Sequence, residues 1–337
     1  MSQVPQDIID LINNSDHFLG HLHVRPDADS LGSMLGLRLG LQQLRKELTL
    51  YCEDEVNKVF NFLKDVDQVE RINLTGVYKQ KDTVYLFLDT GKWQMATHDE
   101  RIPNFPHPIV NIDHHPDNSV AADFSWVDGE ASCVSEMVLK LLRALKIEIT
   151  PDIADCLLVG LLGDTYTFQN KNTNNITFQM AADLLSAGAD YQRCLFHLAR
   201  SKSPEYFKAL GFVASNLKLS EDKKFVYVAI GYDDWQKIGG GSIAEIANEV
   251  MGTVDETLFG AVLAEKEPGV TKGSIRSRET DMDVSQIARV MGGGGHKTAA
   301  GFKLDLPIDK AEAEFLSAVK KAGYNKPNDP EALDHNS

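Results

Sequence analysis

The sequence contains few cysteines, and no two of them have the spacing of a zinc knuckle or a redox pair. Cys52, Cys133, Cys156 and Cys194 lie far apart in apolar or amphipathic segments, where buried reduced thiols are usual. The amino terminus also lacks the basic residues and apolar stretch of a secretory signal, and every apolar run is far shorter than the ~18 residues of a membrane span. These absences predict a cytoplasmic protein without membrane segments.

The sequence is also poor in positive charge. It has 34 basic and 49 acidic residues among 337, which gives a net charge of -15. A chain of this charge offers no broad positive field to a long polyanion, so long-duplex DNA is not an expected ligand. A nucleic-acid ligand should be short, and a local basic pocket or bound cations should hold it.

Short apolar runs alternate with helical patterns up to about residue 188, which predicts an α/β fold. We expect a mostly parallel sheet with helices on both faces. The predicted strands are 18–23, 48–52, 84–88 and 109–112, and the predicted helices are 30–46, 132–146, 151–163 and 174–187. Ser30 is the expected contributor to the cap of the first of these helices.

A second pattern of strands begins near residue 211 and predicts a smaller α/β domain with a mixed sheet. Its expected strands are 225–230, 257–264, 273–278 and 301–306. We therefore divide the chain into a first domain at 1–188, a linker at 189–210, a second domain at 211–325 and a loose tail at 326–337.

Side chains that ligate metals follow the ends of apolar segments in the first domain. They are His23, Asp27 and Asp29, then Asp89, then Asp113, His114 and His115, and finally Asp164. Because the carboxyl ends of parallel strands form the ligand crevice of an open sheet, these groups should converge there. Each aspartate alone has a structural alternative as a turn or cap residue, and His21 fits an ordinary strand position.

Converging carboxylates repel one another unless cations lie between them, and this set suits two divalent ions. Oxygen ligands with some imidazole favour Mn²⁺, with Mg²⁺, Co²⁺ and Fe²⁺ as alternatives, over the thiolate sites of structural zinc. Two ions ~3.5–4 Å apart activate water and neutralise a phosphoryl oxygen, which is the two-metal route to phosphoester hydrolysis. The donor set therefore predicts phosphate chemistry.

A run of four glycines at 292–295 is a separate signal, followed directly by His296 and Lys297. Successive glycines allow backbone N–H groups to bind an anion, although a flexible surface loop is the alternative. Arg276 and Arg278 add two side chains suited to phosphate, unless they are simply solvated.

Taken in order, His-x3-Asp-x-Asp, the isolated Asp89, Asp-His-His, Asp164 and Gly-Gly-Gly-Gly-His resemble the DHH phosphoesterase superfamily. The resemblance covers about residues 10–325. It is strongest to the stand-alone type with a DHH-associated C-terminal domain. That type includes nano-RNases that also act as 3′-phosphoadenosine 5′-phosphate phosphatases, and cyclic dinucleotide phosphodiesterases.

The resemblance implies two Mn²⁺ ions with Asp89 as the ligand that bridges them. It assigns His23, Asp27 and Asp89 to one ion, and Asp29, Asp89, His114 and Asp164 to the other. It also implies that His115 contacts the scissile phosphate or the attacking water and that Asp113 orients a neighbouring imidazole. It makes 1–188 the metal-binding catalytic domain and 211–325 the substrate-binding domain, with catalysis in a cleft between them. The substrate-binding residues that it implies are Arg276, Arg278, Gly294, Gly295 and His296.

The resemblance implies hydrolysis of short oligonucleotides, dinucleotides or 3′-phosphoadenosine 5′-phosphate. A cyclic di-AMP or pApA phosphodiesterase is the first alternative, and a protein that binds nucleotides without hydrolysis is another. Inorganic pyrophosphatase is a more distant option, which the Gly-His motif and the second domain disfavour. A homodimer is left open.

The sequence departs from the family pattern in three places. Gly163-Asp164-Thr165-Tyr166 stands where the family often has Thr-Asp-Thr-Gly, Lys92 stands near the place of a common acidic residue, and Cys133 replaces a common hydroxyl residue. None of these changes removes an implied ligand, so they bear on the choice of substrate.

Overall fold

The computed structural model describes residues 3–77, 83–99, 108–239, 246–278, 282–295 and 297–324. The chain divides into two compact units after Ser201. Within the described ranges, no helix is both long and apolar enough to cross a bilayer. All four cysteines are free and buried. The assignment of a catalytic domain, a linker and a substrate-binding domain stays a prediction.

The first unit is a six-stranded sheet with helices. Its strands are β1 (His17–His21), β2 (Glu47–Cys52), β3 (Val69–Arg71), β4 (Val84–Leu88), β5 (Ile109–Asp113) and β6 (Phe124–Val127). Its α-helices are α1 (Gln6–Asn14), α2 (Ala28–Gln43), α3 (Leu74–Val77), α4 (Trp93–Ala96), α5 (Val134–Ala144), α6 (Pro151–Asp164), α7 (Asn175–Ser186) and α8 (Tyr191–Leu195). Two 3₁₀ turns, Lys58–Phe60 and Val66–Gln68, and a π-helical segment, Phe196–Arg200, complete this unit.

All neighbouring strands of this sheet are parallel, in the order β3-β2-β1-β4-β5-β6. The strand order reverses between β1 and β4. Ligands of open α/β sheets bind outside the carboxyl ends of the strands at such a reversal. His23 follows β1 and Asp89 follows β4, so the reversal itself places these two residues side by side.

The predicted first strand and first helix have different bounds in the structure. Strand β1 ends at His21. A few residues later, the N–H of Val24 donates to the carbonyl of Met95 at 2.6 Å and not to a neighbouring strand. Helix α2 begins at Ala28, and its cap is Asp27, whose Oδ1 accepts both from Asp29 N and from Ser30 N at 3.0 Å. The expectation that Ser30 caps this helix was therefore wrong.

Two strands of this first sheet were missed in the sequence, both at its edges. Strand β3 has only three residues, which are half-buried or exposed, and β6 alternates between buried and exposed positions over four residues. Edge strands of this length carry too little apolar pattern to be separated from loops.

Helix α2 lies almost entirely inside the unit and packs against α6. Twelve of its sixteen residues are buried, and the two helix backbones meet closely at glycines. A Cβ atom at Gly32 would lie 2.3 Å from the carbonyl oxygen of Cys156, and one at Gly163 would lie 2.3 Å from the Cβ of Ala28. This approach brings the start of α2 next to the end of α6, where Asp164 lies.

The second unit contains a mixed six-stranded sheet in the order β11-β12-β10-β9-β8-β7, with β8 and β9 parallel and the other pairs antiparallel. Its strands are β7 (Lys218–Leu219), β8 (Phe225–Ile230), β9 (Phe259–Glu267), β10 (Val270–Ser277), β11 (Gly294–Gly295) and β12 (Ala299–Leu304). Its α-helices are α9 (Pro204–Ser215), α10 (Tyr232–Ile238), α11 (Val284–Val290) and α12 (Ile308–Lys321), with a π-helical segment at Ala247–Met251. The expected α/β class and the mixed second sheet are confirmed.

The glycine run does not form one continuous anion-binding loop. Gly292 and Gly293 donate their N–H groups to the carbonyls of Arg289 and Ala288 at the end of α11, and Gly294 and Gly295 form β11. Gly292 has a φ of 73°, the left-handed conformation that commonly ends a helix. The first two N–H groups of the run are therefore already used within the fold.

We expect Gly32→Ala to destabilise the chain, because its new methyl group would collide with the backbone of Cys156. Backbone atoms cannot move aside as a flexible side chain can. A loss of about 1–3 kcal/mol in the free energy of unfolding is typical of overpacking of this kind. Gly211→Ala in α9 is the matched control, since a Cβ there meets nothing within 4 Å. Chemical denaturation should show Gly211→Ala neutral or slightly stabilised, and equal stability of both variants would contradict the close helix contact.

Candidate metal centre

Three groups of potential ligands lie together at the carboxyl ends of β1, β4 and β5. Within each group, one ligand atom per residue lies within 4.8 Å of the others. The groups are His23 with Asp27 and Asp89, then Asp29 with His114 and Asp164, then Asp89 with His114 and His115. The structure thus brings together all six sequence-predicted metal ligands and His115.

Asp89 lies at the middle of this cluster, with one oxygen facing His23 and the other facing His114 and His115. Its Oδ2 is 3.6 Å from Nε2 of His23, and its Oδ1 is 3.6 Å from Nε2 of His114. The residue has a φ of 54°, a left-handed conformation that aspartate tolerates better than most residues. Its carboxylate is buried, so its two oxygens link the two donor groups away from bulk water.

Asp29 is fully buried, and the start of α5 holds it. Its Oδ2 accepts from the N–H of Val134 at 2.6 Å, and its Oδ1 accepts from the N–H of Ser135 at 2.9 Å. The first N–H groups of a helix lack partners within the helix and favour negative charge, so α5 stabilises this carboxylate. Gly160 in α6 leaves room for it, since a Cβ there would lie 2.6 Å from Asp29 Oδ1.

Asp113 connects His115 to a buried amide network. Its Oδ1 lies 2.8 Å from Nδ1 of His115, and its Oδ2 accepts from Asn118 Nδ2 at 2.5 Å. Asn118 also donates to Oδ1 of Asn111 at 2.8 Å, and Asn111 donates to the carbonyls of Phe87 and Thr90. This network fixes the Asp113 carboxylate and, through it, the ring of His115.

Asp164 ends α6, and the loop that follows is bonded back to it. The carbonyl of Asp164 accepts from Asn170 Nδ2 at 2.8 Å and from Asn172 Nδ2 at 3.2 Å. Asn172 also donates to the carbonyl of Ser132 at 2.8 Å, just before α5. One amide therefore links the segment that holds Asp29 to the end of the helix that carries Asp164.

The electrostatics of the centre are those of a crowded group of carboxylates. Burial and the charges of Asp164 and Asp89 raise the pKa of Asp29 well above its ordinary value. Burial, with the charge of Asp89, also raises the pKa of Asp164 to about 6, although the hydrogen bond from His114 opposes this shift. Ionising all the carboxylates together is costly in this structure.

The pKa values of the imidazoles reflect the negative potential of the same carboxylates. Burial lowers the pKa of His23, but the hydrogen bonds and charges of Asp27 and Asp89 outweigh it and raise that pKa to about 11. For His114, burial is likewise outweighed by Asp164, Asp29 and Asp89, and the pKa rises to about 10. A site that attracts protons this strongly would also favour a multivalent cation in their place.

The chemistry of the donors fits divalent metal ions. Buried carboxylate oxygens with imidazole nitrogens suit Mn²⁺ and related ions, and the carboxylates need positive charge between them. His21 does not take part. It is buried, its Nδ1 contacts the carbonyl of Leu22, and its Nε2 has no partner in the described part of the chain. Burial lowers its pKa to about 4, as expected of a neutral core histidine.

The predicted substrate-binding residues lie in the second unit. Arg276 donates to Ser274 Oγ and to the carbonyl of Ile275, both at 2.9 Å, and Arg278 pairs with Asp255 at 2.6 Å. Gly294 and Gly295 pair with Gly301 and Ala300 in the sheet. His296 lies outside the described residues.

The amide network was missed in the sequence, although one signal was present. Asn111 interrupts the apolar run Ile109–Asp113 and is fully buried, which requires partners for its amide. Asn118, Asn170 and Asn172 lie in polar loops, where asparagine is common and carries no such signal. Their roles depend on contacts that only the folded chain reveals.

Comparison with known proteins relates both units to a family. Residues 19–161 match the DHH family N-terminal domain, and residues 222–322 match the DHHA1 domain. The chain is 30% identical over 309 residues to the bifunctional oligoribonuclease and PAP phosphatase NrnA of Thermus thermophilus, covering 90% of each protein. It is 26% identical to the cyclic-di-AMP phosphodiesterase GdpP of Geobacillus thermodenitrificans, covering 92% of this chain and 48% of that protein.

A solved structure supports the fold. An exopolyphosphatase-related protein from Bacteroides fragilis superposes with a TM-score of 0.87 over 95% of this chain and 98% of that one, at 22% identity. The matched domains, the length of the alignment with NrnA and the motif order agree with one another. The chain therefore belongs to the DHH phosphoesterase family, with a DHH domain followed by a DHHA1 domain.

Proposed function

We propose that this phosphoesterase uses two divalent ions, Mn²⁺ first among them, to hydrolyse short oligonucleotides, dinucleotides and 3′-phosphoadenosine 5′-phosphate. The observation that carries the proposal is Asp89, whose two oxygens face His23 and His114 and so connect two donor groups. A carboxylate shared between two groups of ligands suits a pair of ions lying close together.

We assign the residues to the two ions as the family resemblance implies. His23, Asp27 and Asp89 would hold one ion, and Asp29, Asp89, His114 and Asp164 would hold the other. When bound, the ions supply activation of water and neutralisation of a phosphoryl oxygen. The start of α5 helps to keep Asp29 ionised, and Asp27 both caps α2 and lies 3.6 Å from His23.

His115 is the residue of the chain that we place on the scissile phosphate. Asp113 holds its Nδ1, so the contact would be made through Nε2. The hydrogen bond to Asp113 raises the pKa of His115, although burial opposes this shift. The raised pKa favours an imidazolium beside a negatively charged substrate. Asp113 acts through this ring as a positioning residue.

The net charge of -15 favours a small substrate, because affinity for long polymers depends on many phosphate contacts. The relative named oligoribonuclease and PAP phosphatase aligns along 90% of its own length, which supports that substrate class first. In the second unit we propose Arg276, Arg278, Gly294, Gly295 and His296 as substrate contacts. The cytoplasmic location and the homodimer stay predictions.

A second candidate is hydrolysis of cyclic di-AMP or pApA, favoured by the likeness to GdpP along 92% of this chain. It would use the same metal ligands and differ in how the second nucleotide is held.

Parallel Mn²⁺ assays should separate the two candidates. We expect 3′-phosphoadenosine 5′-phosphate and a short RNA to be cleaved faster than cyclic di-AMP, with kcat/KM as the measure. Pyrophosphate and long duplex DNA serve as the negative substrates. A clear preference for cyclic di-AMP or pApA would replace the first candidate by the second.

Asp89→Asn should reduce hydrolysis of every substrate to near background, because it removes the negative charge shared by both groups of donors. The matched control is Asp183→Asn, an exchange of an aspartate that pairs with Arg143 on the surface of the first unit. Manganese content of the purified variants, measured by atomic emission, should fall for Asp89→Asn alone. Wild-type turnover by Asp89→Asn would rule out the two-ion assignment.

Asp164→Asn should stabilise the metal-free protein while weakening metal binding. The folded pKa of about 6 lies above the ordinary 3.8, so ionised Asp164 costs stability above pH 6, and this cost disappears below about pH 4. A rise of a few degrees in Tm is expected in EDTA at pH 8, and none at pH 4.

Added Mn²⁺ should then raise the Tm of the wild type more than that of Asp164→Asn. Asp183→Asn is again the control, because the hydrogen bond from Arg143 lowers the pKa of Asp183 and its ionised form is favourable. A lower Tm for Asp164→Asn than for the wild type in EDTA at pH 8 would contradict the carboxylate repulsion.

A further inference from the structure

The segment after Asp164 has a composition unlike the rest of this acidic chain. Residues 165–182 contain no aspartate or glutamate and a single charged residue, Lys171, although 49 of the 337 residues are acidic. The same stretch contains five amide side chains within 169–175 and three aromatic rings. Aromatic rings with amides and no carboxylate are suited to contact a nucleotide beside the acidic metal centre.

Two of these rings form a stack whose outer ring faces solvent. Phe168 packs against the core of the first unit, and Phe178, in the first turns of α7, stacks on it with ring centroids 5.2 Å apart and planes at 27°. Phe178 is 56% exposed, so its outer face is open to solvent. The inner ring fixes the orientation of the outer one, which lowers the entropy cost of stacking another ring on it.

The backbone that carries Phe168 is strained and tied to Asp164. Tyr166, Thr167 and Phe168 have φ values of 47°, 54° and 68°, a left-handed run that L-residues avoid at a cost of roughly 1–2 kcal/mol each. Asn170 and Asn172 bond the loop to the Asp164 carbonyl. Non-glycine residues keep such a conformation only where surrounding contacts determine it, and such sites cluster around ligands.

We propose that Phe178, supported by Phe168, is a stacking surface for a nucleobase of the substrate. This inference rests on the proposed function, since it assumes a nucleotide whose phosphate lies at the metal centre. Lys171 is exposed in the same loop and gives the surface a positive charge suited to a phosphate. A protein partner at Phe178 is the competing occupant, and the test separates the two.

The kinetic test compares Phe178→Ala with Leu185→Ala. Leu185 is 45% exposed on the same helix and lies seven residues, or about 10 Å, further along it. For an adenine dinucleotide, KM should rise about 5- to 100-fold in Phe178→Ala, as loss of one base stack predicts, with kcat little changed. Leu185→Ala should behave as the wild type.

Conservative variants and a modified substrate identify the interaction. Phe178→Tyr should restore the wild-type KM, whereas Phe178→Leu should not, because it keeps apolar volume without a π-face. An abasic dinucleotide should show the same KM for the wild type and Phe178→Ala. The surface is not a base-stacking site if Phe178→Leu has the KM of the wild type. The same holds if Phe178→Ala raises the KM for the abasic substrate as much as for the intact one.

A binding measurement separates this inference from the proposed function. Phe178→Trp should show indole fluorescence quenching when titrated with AMP in Mn²⁺, and Leu185→Trp should not. Quenching without hydrolysis of any phosphoester would keep the stacking surface and overturn the proposed function. Hydrolysis of oligonucleotides with no quenching and an unchanged KM in Phe178→Ala would overturn the stacking surface alone, and would point to a protein partner.

Discussion

The mutual repulsion of buried carboxylates is the constraint on which the first unit depends. Asp29 and Asp89 are buried and Asp164 is half-buried beside them, so their like charges are poorly screened by water. The chain reduces this cost with the N–H groups of α5 on Asp29 and with two imidazoles of raised pKa. What remains uncompensated is negative potential, which attracts divalent ions, and such ions can then bind an anionic phosphate that the carboxylates alone would repel.

The rest of the unit keeps these charges in place against their repulsion. The reversal of strand order puts the ends of β1 and β4 next to each other, and close glycine contacts press α2 against α6. Asn111 and Asn118 then hold Asp113, and Asn172 joins the start of α5 to the end of α6. Neutral amides suit this task because they provide rigidity without adding charge to an already crowded centre.

Apolar patterns were enough to predict the class of the fold, the central strands and the long helices. A strand covered by helices on both faces of its sheet is a continuous apolar run, and a buried helix face repeats with helical spacing. Convergence of the predicted metal ligands that follow strands could be inferred from topology, since parallel strands end at one edge. Local chemistry was harder to predict. Asp27 rather than Ser30 caps α2, and the glycine run partly ends a helix, because hydrogen bonds of similar energy compete and only the fold selects among them.

Tyr166 shows how a departure from a family pattern becomes interpretable once its backbone is known. The family commonly has a glycine here, and a φ of 47° explains why, since glycine adopts that conformation without steric cost. Tyr166 adopts the same left-handed conformation, at a steric cost that glycine would not have. Because the turn joins Asp164 to Phe168, its stiffness couples the position of a proposed ligand to the aromatic surface beside it.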